Sequence, residues 1–437
     1  MAGNPDAVAP EAQPAAASSR AWLVLTALTF VYVLNFLDRQ LLGILAKPIK
    51  ESLHLTDTQL GLIGGFYFAL FYCFIAVPVG FFADRTNRVS VLSLACAIWS
   101  GATTACGLAA SYPQLVAARM VVGFGEAGGV PPSYALITDT FRPGRRGLAF
   151  GIYNLGPPVG AALGVAFGAW IAKHFGWRNA FISIGVIGIV TAVLLRALMR
   201  EPKRGALDAA AVATAGGAKP KAGFWSTTRM FFTHPVLMLA ALGSGATQFV
   251  TYGLGNFAVL YLMDEKAMTY DQIAVWYALV VLVGMGASML ASGRIIDRFT
   301  RRSRLAYALA PAISLAIAMP FYVGFVWSPG WQLALTLLTI VNFFNYFYLS
   351  AAVALVQEEV RPEQRVLSGA LLLLVMNFIG LGLGPTYVGA ASDWFKAHGA
   401  AAPLQSALYT LTPFYLIAIV FFLVLARRLR AEGKVAA

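Results

Sequence analysis

Twelve unbroken apolar runs decide what this chain can fold into: 21–46, 58–82, 89–110, 113–139, 145–172, 178–199, 234–263, 271–293, 303–326, 331–357, 364–391 and 403–428. Roughly twenty apolar residues cross the hydrocarbon core as a helix, and a helix satisfies its own backbone in lipid. Membrane barrels need strands that alternate over about ten residues, which these continuous runs do not. With 59% hydrophobic residues, 12% charged residues and a mean hydropathy of +0.71, an ordinary soluble domain is excluded. The sequence therefore predicts an all-α membrane protein of twelve transmembrane helices.

The formal charge of +13 first suggests nucleic acid, but the basic residues sort by side of the membrane. If the N-terminus is cytoplasmic, only Lys47, Lys50, Lys173, Arg178, Lys266 and Lys396 fall on the opposite side, and only Arg39 and Arg119 fall within spans. That asymmetry is the positive-inside signal. It predicts a multi-pass protein of the cell membrane, in bacteria the inner membrane, with both termini cytoplasmic and no nucleic-acid partner. Cys73, Cys96 and Cys106 all lie in apolar runs, and His54, His174, His234 and His398 lie in or near loops without ligand spacing. Neither a disulfide framework, a metal site nor a cofactor is expected.

Residues 1–19, rich in Ala, Pro and Ser, read as a disordered tail. Residues 20–199 form the first set of six spans, 200–233 a cytoplasmic linker, 234–428 the second set, and 429–437 a cytoplasmic tail. The sets share punctuation. Gly80, Asp84, Arg85 and Arg88 close span two, and Gly293, Asp297 and Arg298 close span eight; Gly156-Pro157-Pro158 in span five echoes Gly384-Pro385 in span eleven. Repeated halves suit a carrier that rocks one half against the other, so two pseudo-symmetric bundles are expected.

The G-x-x-x-D-R-x-x-R pattern from Gly80 to Arg88 resembles the major facilitator superfamily, with Asn87 where that family commonly has glycine. By that resemblance Gly80, Asp84, Arg85, Arg88, Asp139, Asp297 and Arg298 form a conformational latch. Asp84 would hold the outward-facing state, and Asp139 would be an arginine partner. The segments Leu34 to Arg39, Arg119 to Ala127 and Pro131 to Asp139 further resemble the spinster branch. Its members move lysophospholipids or sphingosine phosphates and are thought to be proton-driven.

The chemistry concentrates in the first half. Asp38 and Arg39 lie deep in span one, where a charge costs about 2.5 to 3.5 kcal/mol even on a lenient insertion scale. Arg119 and Glu126 in span four are seven residues apart, hence on nearly one helical face and roughly 10 Å apart along the axis. The glycines around Gly123 are expected to let span one pack close. Two acids and two bases sum to zero when ionised, and one added proton leaves a positive pocket. Asp38 and Glu126 are therefore the proton-coupling candidates, Arg39 and Arg119 the gate and anion-binding candidates. The second half offers only neutral polar groups at that depth. Resemblance to the superfamily, in which spans one, four, seven and ten line the cavity, makes Asn35, Gln248, Thr251, Tyr252, Asn256, Asn342, Asn345, Tyr346 and Asn377 substrate-cavity candidates.

The expected function is a proton-coupled secondary transporter working by alternating access on an amphipathic or anionic solute, with protons and the lipid bilayer as its other partners, acting as a monomer. A carrier of small organic acids or a drug exporter would use the same charges. A lipid enzyme would need a nucleophile beside a base, which the spans lack. No phosphate-binding glycine loop points to ATP.

Overall fold

The computed structural model describes residues 19–83, 85–202, 223–361 and 364–435. Most of the expected N-terminal tail, Asp84 and linker residues 203–222 lie outside them. The described residues are helical with no strand. Among the described residues, eleven helices are long and apolar enough to cross a membrane. The remaining crossing is span four, built from Tyr112–Glu126 and Val130–Thr140. It is interrupted where Gly128-Gly129 precedes Pro131-Pro132, whose rings supply no N–H for a continuing helical ladder.

Three elements go beyond the sequence reading. Span one, Ser19–Ile44, is followed by a short helix, Ala46–Leu53, in what reads as a loop. The linker ends in a helix, Phe224–Thr233, because Thr227 and Phe231, four residues apart, are buried while Trp225 stays exposed. The last helix, Thr412–Val435, runs into the expected C-terminal tail, through Arg427, Arg428 and Arg430, good helix formers with no proline among them.

Span one is seated by span five, Gly156–Phe175. Gly156, Gly160, Gly164 and Gly168 recur every fourth residue and so form one stripe. Tyr32 packs on the first, Val33 and Phe36 on the second, Leu37 and Gln40 on the third, Leu41 on the fourth. A β-carbon at Gly164 would sit 2.7 Å from the Leu37 carbonyl oxygen, closer than any real side chain goes. Without a hydrophobic drive between helices in lipid, such small-residue contacts decide which spans meet. Here they fix the rotation of span one, and with it the aim of Asp38 and Arg39.

The two halves close on each other at the far face, the one opposite the chain termini. Lys47 pairs with Asp264 at 2.7 Å, joining the short helix after span one to the end of span seven, and Lys173 pairs with Asp271 at 2.5 Å, joining span five to span eight. Between spans two and eleven the backbones themselves touch, since a β-carbon at Gly65 would lie 2.7 Å from the Gly382 carbonyl oxygen. Span eleven is π-helical there, over Phe378–Leu383, which turns Gly380 onto Gln248 of span seven. Such one-turn π segments inside helices recur at functional sites.

The glycine stripe yields a paired test. Gly164→Val should lower stability by about 1 to 3 kcal/mol, read as a fall in the melting temperature of the detergent-solubilised protein. Gly147→Ala, where nothing lies within 4 Å, should leave it unchanged or slightly raised.

Candidate transport site

Neighbouring residues on a helix point about 100° apart. Asp38 and Arg39 therefore face different partners. Asp38, 2% exposed, turns into the N-terminal half, where Oδ1 lies 3.7 Å from Arg119 Nη1 and Oδ2 takes a short contact from the Thr103 hydroxyl of span three. Arg39 turns to the cavity between the halves, and its Nε donates to Glu126 Oε2 at 2.6 Å. The four charges form two crossed pairs, span one to span four twice over, inside one bundle.

Aromatic rings floor both guanidinium groups. Arg39 lies 4.5 Å from the Tyr72 ring centroid and 5.1 Å from that of Phe36; Arg119 lies 5.1 Å from Phe68. Such faces stabilise a cation that has lost water. Sequence reasoning missed Thr103, Phe68 and Tyr72, because hydroxyls and rings are common in apolar spans and nothing local marks these three.

Hydrogen-bond accounting at the cluster is incomplete. Asp38 Oδ1, Glu126 Oε1, Arg119 Nε and Arg119 Nη1 are buried without a hydrogen-bond partner among the described residues. Glu126 thus has one bonded and one unbonded oxygen, while Asp38 Oδ1 meets Arg119 only as an ion pair at 3.7 Å, beyond hydrogen-bond reach. Thr103 adds a second feature, since its Oγ1 also lies 2.9 Å from the Trp99 carbonyl oxygen. A hydroxyl has one hydrogen. It either donates to an ionised Asp38, or donates to Trp99 and accepts from a protonated Asp38, so the same geometry serves both charge states.

A cavity of about 170 Å³ opens beside Arg39 and Arg119. Gln248, Thr251, Tyr252, Asn256 and Tyr346 line it, as expected of cavity candidates. The other four are placed differently. Asn35 is buried with Oδ1 unpartnered, and Asn342 packs at Gly284 of span eight. Asn345 exchanges hydrogen bonds with Tyr415 of span twelve at 3.0 and 3.1 Å. Asn377 ends the helix Arg365–Asn377 just before the π-turn. Spans two, five, eight and eleven also contribute, through Phe68, Pro157, Met285 and Leu381.

One further sequence expectation meets the structure differently. Gly123 admits the Phe68 backbone of span two and Gly125 the Trp99 backbone of span three, not span one. Span one reaches span four through long charged side chains, which need no close backbone approach. In the loop motif, Arg88 gives Asp139 the expected arginine partner at 2.5 Å and also binds Glu201, at the start of the linker, at 3.0 Å. Gly80 lies in the last turn of the helix Phe66–Ala83, Arg85 is exposed, and Asp297 and Arg298 are exposed at the end of span eight. Among the described residues no cluster of His, Cys, Asp and Glu could hold a metal.

A family model described as Major Facilitator Superfamily matches residues 28–385. A solved bacterial homolog to the human lysosomal transporter Spinster, inward-facing and unoccupied, is 30% identical, covers 95% of this chain and 99% of its own, and superposes with a TM-score of 0.83. An MFS-type efflux pump of Mycolicibacterium smegmatis is 29% identical over 393 residues, covering 90% of this chain and 89% of the pump. Protein spinster homolog 1 of Xenopus tropicalis is 24% identical over 433 residues, covering 93% and 81%.

The crossed pairs predict a non-additive mutant cycle. Arg39→Ala leaves the Glu126 carboxylate buried and unpaired and should cost about 3 to 5 kcal/mol. Adding Glu126→Gln to it should restore most of that loss, measured by chemical or thermal unfolding in detergent.

Proposed function

The chain belongs to the major facilitator superfamily, in its spinster-like branch, and on that premise we propose that this multi-pass transporter is a proton-coupled secondary carrier. It works by alternating access on an amphipathic anionic solute, of the lysophospholipid or sphingoid phosphate class. The observation that carries this reading is the charge-balanced pair of ion pairs in which Asp38 Oδ1 and Glu126 Oε1 stay buried without a hydrogen bond.

A proton on Glu126 discharges the carboxylate that holds Arg39. The guanidinium, which already lines the cavity, then offers its donors to a solute anion, and a charge-assisted bond replaces the internal one. A proton on Asp38 does the same for Arg119, with Thr103 accepting the new hydrogen. The empty pocket is neutral and the protonated pocket positive, so anion and proton favour each other. Tyr252 of span seven lines the same cavity as Arg39, which brings the second half to the switch.

The amphiphile assignment rests on the walls. Tyr32, Phe36, Phe68, Met285, Met289 and Leu349 surround the arginines with apolar surface, which favours a charged head on a hydrocarbon body over a small hydrophilic acid. At about 170 Å³ the void is below the ~300 Å³ of typical ligand pockets, so in this far-closed state it admits a head group rather than a whole lipid. A second reading, export of amphipathic drugs, is favoured by the similarity to the Mycolicibacterium smegmatis efflux pump over 90% of the chain. The basic asymmetry supports cytoplasmic termini in a bacterial inner membrane, which makes the closed far face the external one.

Two measurements test the proposal. In proteoliposomes, Glu126→Gln should reduce solute movement driven by a pH gradient about tenfold or more while solute-for-solute exchange continues. Undiminished gradient-driven transport would remove Glu126 from coupling. Melting of the purified protein should rise with lysophospholipids or sphingoid phosphates. A rise with small hydrophilic carboxylates alone would replace the amphiphile with an organic acid.

A further inference from the structure

Where spans two and eleven meet at the far face, one carboxylate of the second half holds three donors of the first. Asp393 Oδ1 accepts from the Asp57 amide at 3.1 Å; its Oδ2 accepts from the Thr58 amide at 2.7 Å and the Thr58 hydroxyl at 2.6 Å. Asp57 returns the contact: its Oδ2 accepts from Ser392 Oγ at 2.7 Å and pairs with Lys396 at 3.0 Å, while its Oδ1 binds Lys50. The two lysines offset the two acids.

A helix start leaves its first amides without intrahelical partners. Span two has its own capping box for part of this, with Thr56 Oγ1 accepting from the Gln59 amide at 3.2 Å and Gln59 Oε1 accepting from the Thr56 amide at 3.0 Å. The amides of Asp57 and Thr58 are left over, and Asp393 takes both. If the halves part here, those two donors turn to water while the box stays whole. The contact can therefore open without unwinding the helix. The packing beneath lacks such direction, because Gly61, Gly65 and Gly389 lay backbone against Pro385, Gly382 and Asp57. Glycine sets how near the spans come, and the carboxylate supplies bonds that hold only in one register.

We propose that Asp393 is a positioning residue of the transport cycle, which caps span two from the opposite half, holds the far face closed, and sets the population of the far-open state. This goes beyond substrate and proton coupling and needs only that the halves move.

The test uses the full chain in nanodiscs, with Cys73, Cys96 and Cys106 replaced by Ala. Spin labels at the exposed positions Glu51→Cys and His398→Cys, on either side of the seam, report far-face distances by pulsed electron resonance. Asp393→Ala should shift the ratio of long to short distances about tenfold toward long, Asp393→Asn by less, and Thr58→Val in the same direction. Thr58→Val should add little once Asp393 is Ala, since the two share one contact. An unchanged distribution in Asp393→Asn and Thr58→Val would overturn the proposal, even if melting temperatures fall. So would a full additional shift from Thr58→Val in the Asp393→Ala background.

Discussion

A guanidinium at the depth of a bilayer cannot give up its proton and cannot keep its water, so everything near it must compensate. That constraint organises this protein. Arg39 and Arg119 are each met by an acid and by the face of an aromatic ring, and Asp38 and Arg39 share a span whose rotation is fixed elsewhere. The glycine stripe of span five belongs to the same arrangement. By letting the span-one backbone approach at Tyr32, Val33 and Leu37, it sends Asp38 inward to Thr103 and Arg39 outward to the cavity. A buried ion pair is weak evidence for stability taken alone. Here Asp38 Oδ1, Glu126 Oε1 and two nitrogens of Arg119 stay buried without a hydrogen bond, so the pairs are incompletely satisfied.

The division of labour between the halves follows. The first half holds the titratable charge, and the second meets it with neutral groups on one face of span seven, Gln248, Tyr252 and Asn256. At the far face the relation is reversed, with Asp393 of the second half serving amides of the first. The far seam is thus closed by hydrogen bonds that water can replace, while the central charges pair within the first half alone.

Much of this was legible because lipid makes charge expensive. Asp38, Arg39, Arg119 and Glu126 stand out by depth alone, and helical spacing places Arg119 and Glu126 on one face. What helical spacing does not give is the direction a residue faces within a packed bundle. Asn345 looks like its cavity-lining neighbour Tyr346 yet faces Tyr415, and Gly123 serves span two instead of span one. Asp57 and Asp393 were unreadable for another reason. They are 336 residues apart and resemble ordinary loop-end charges; only the closure of the halves makes them partners. Thr103 is one of several span threonines, and its meaning comes wholly from the carboxylate above it.

The account stands on the claim that the acids of the central cluster take up a proton while buried. Infrared difference spectroscopy of the protein in nanodiscs, between alkaline and acidic buffer, observes that directly through the carbonyl stretch of a protonated carboxyl group. The account predicts such a band, shielded from rapid deuterium exchange and diminished in Asp38→Asn or Glu126→Gln. A spectrum in which neither substitution alters any protonated-carboxyl band would mean the cluster is a permanent ionic brace, and coupling would have to be sought elsewhere.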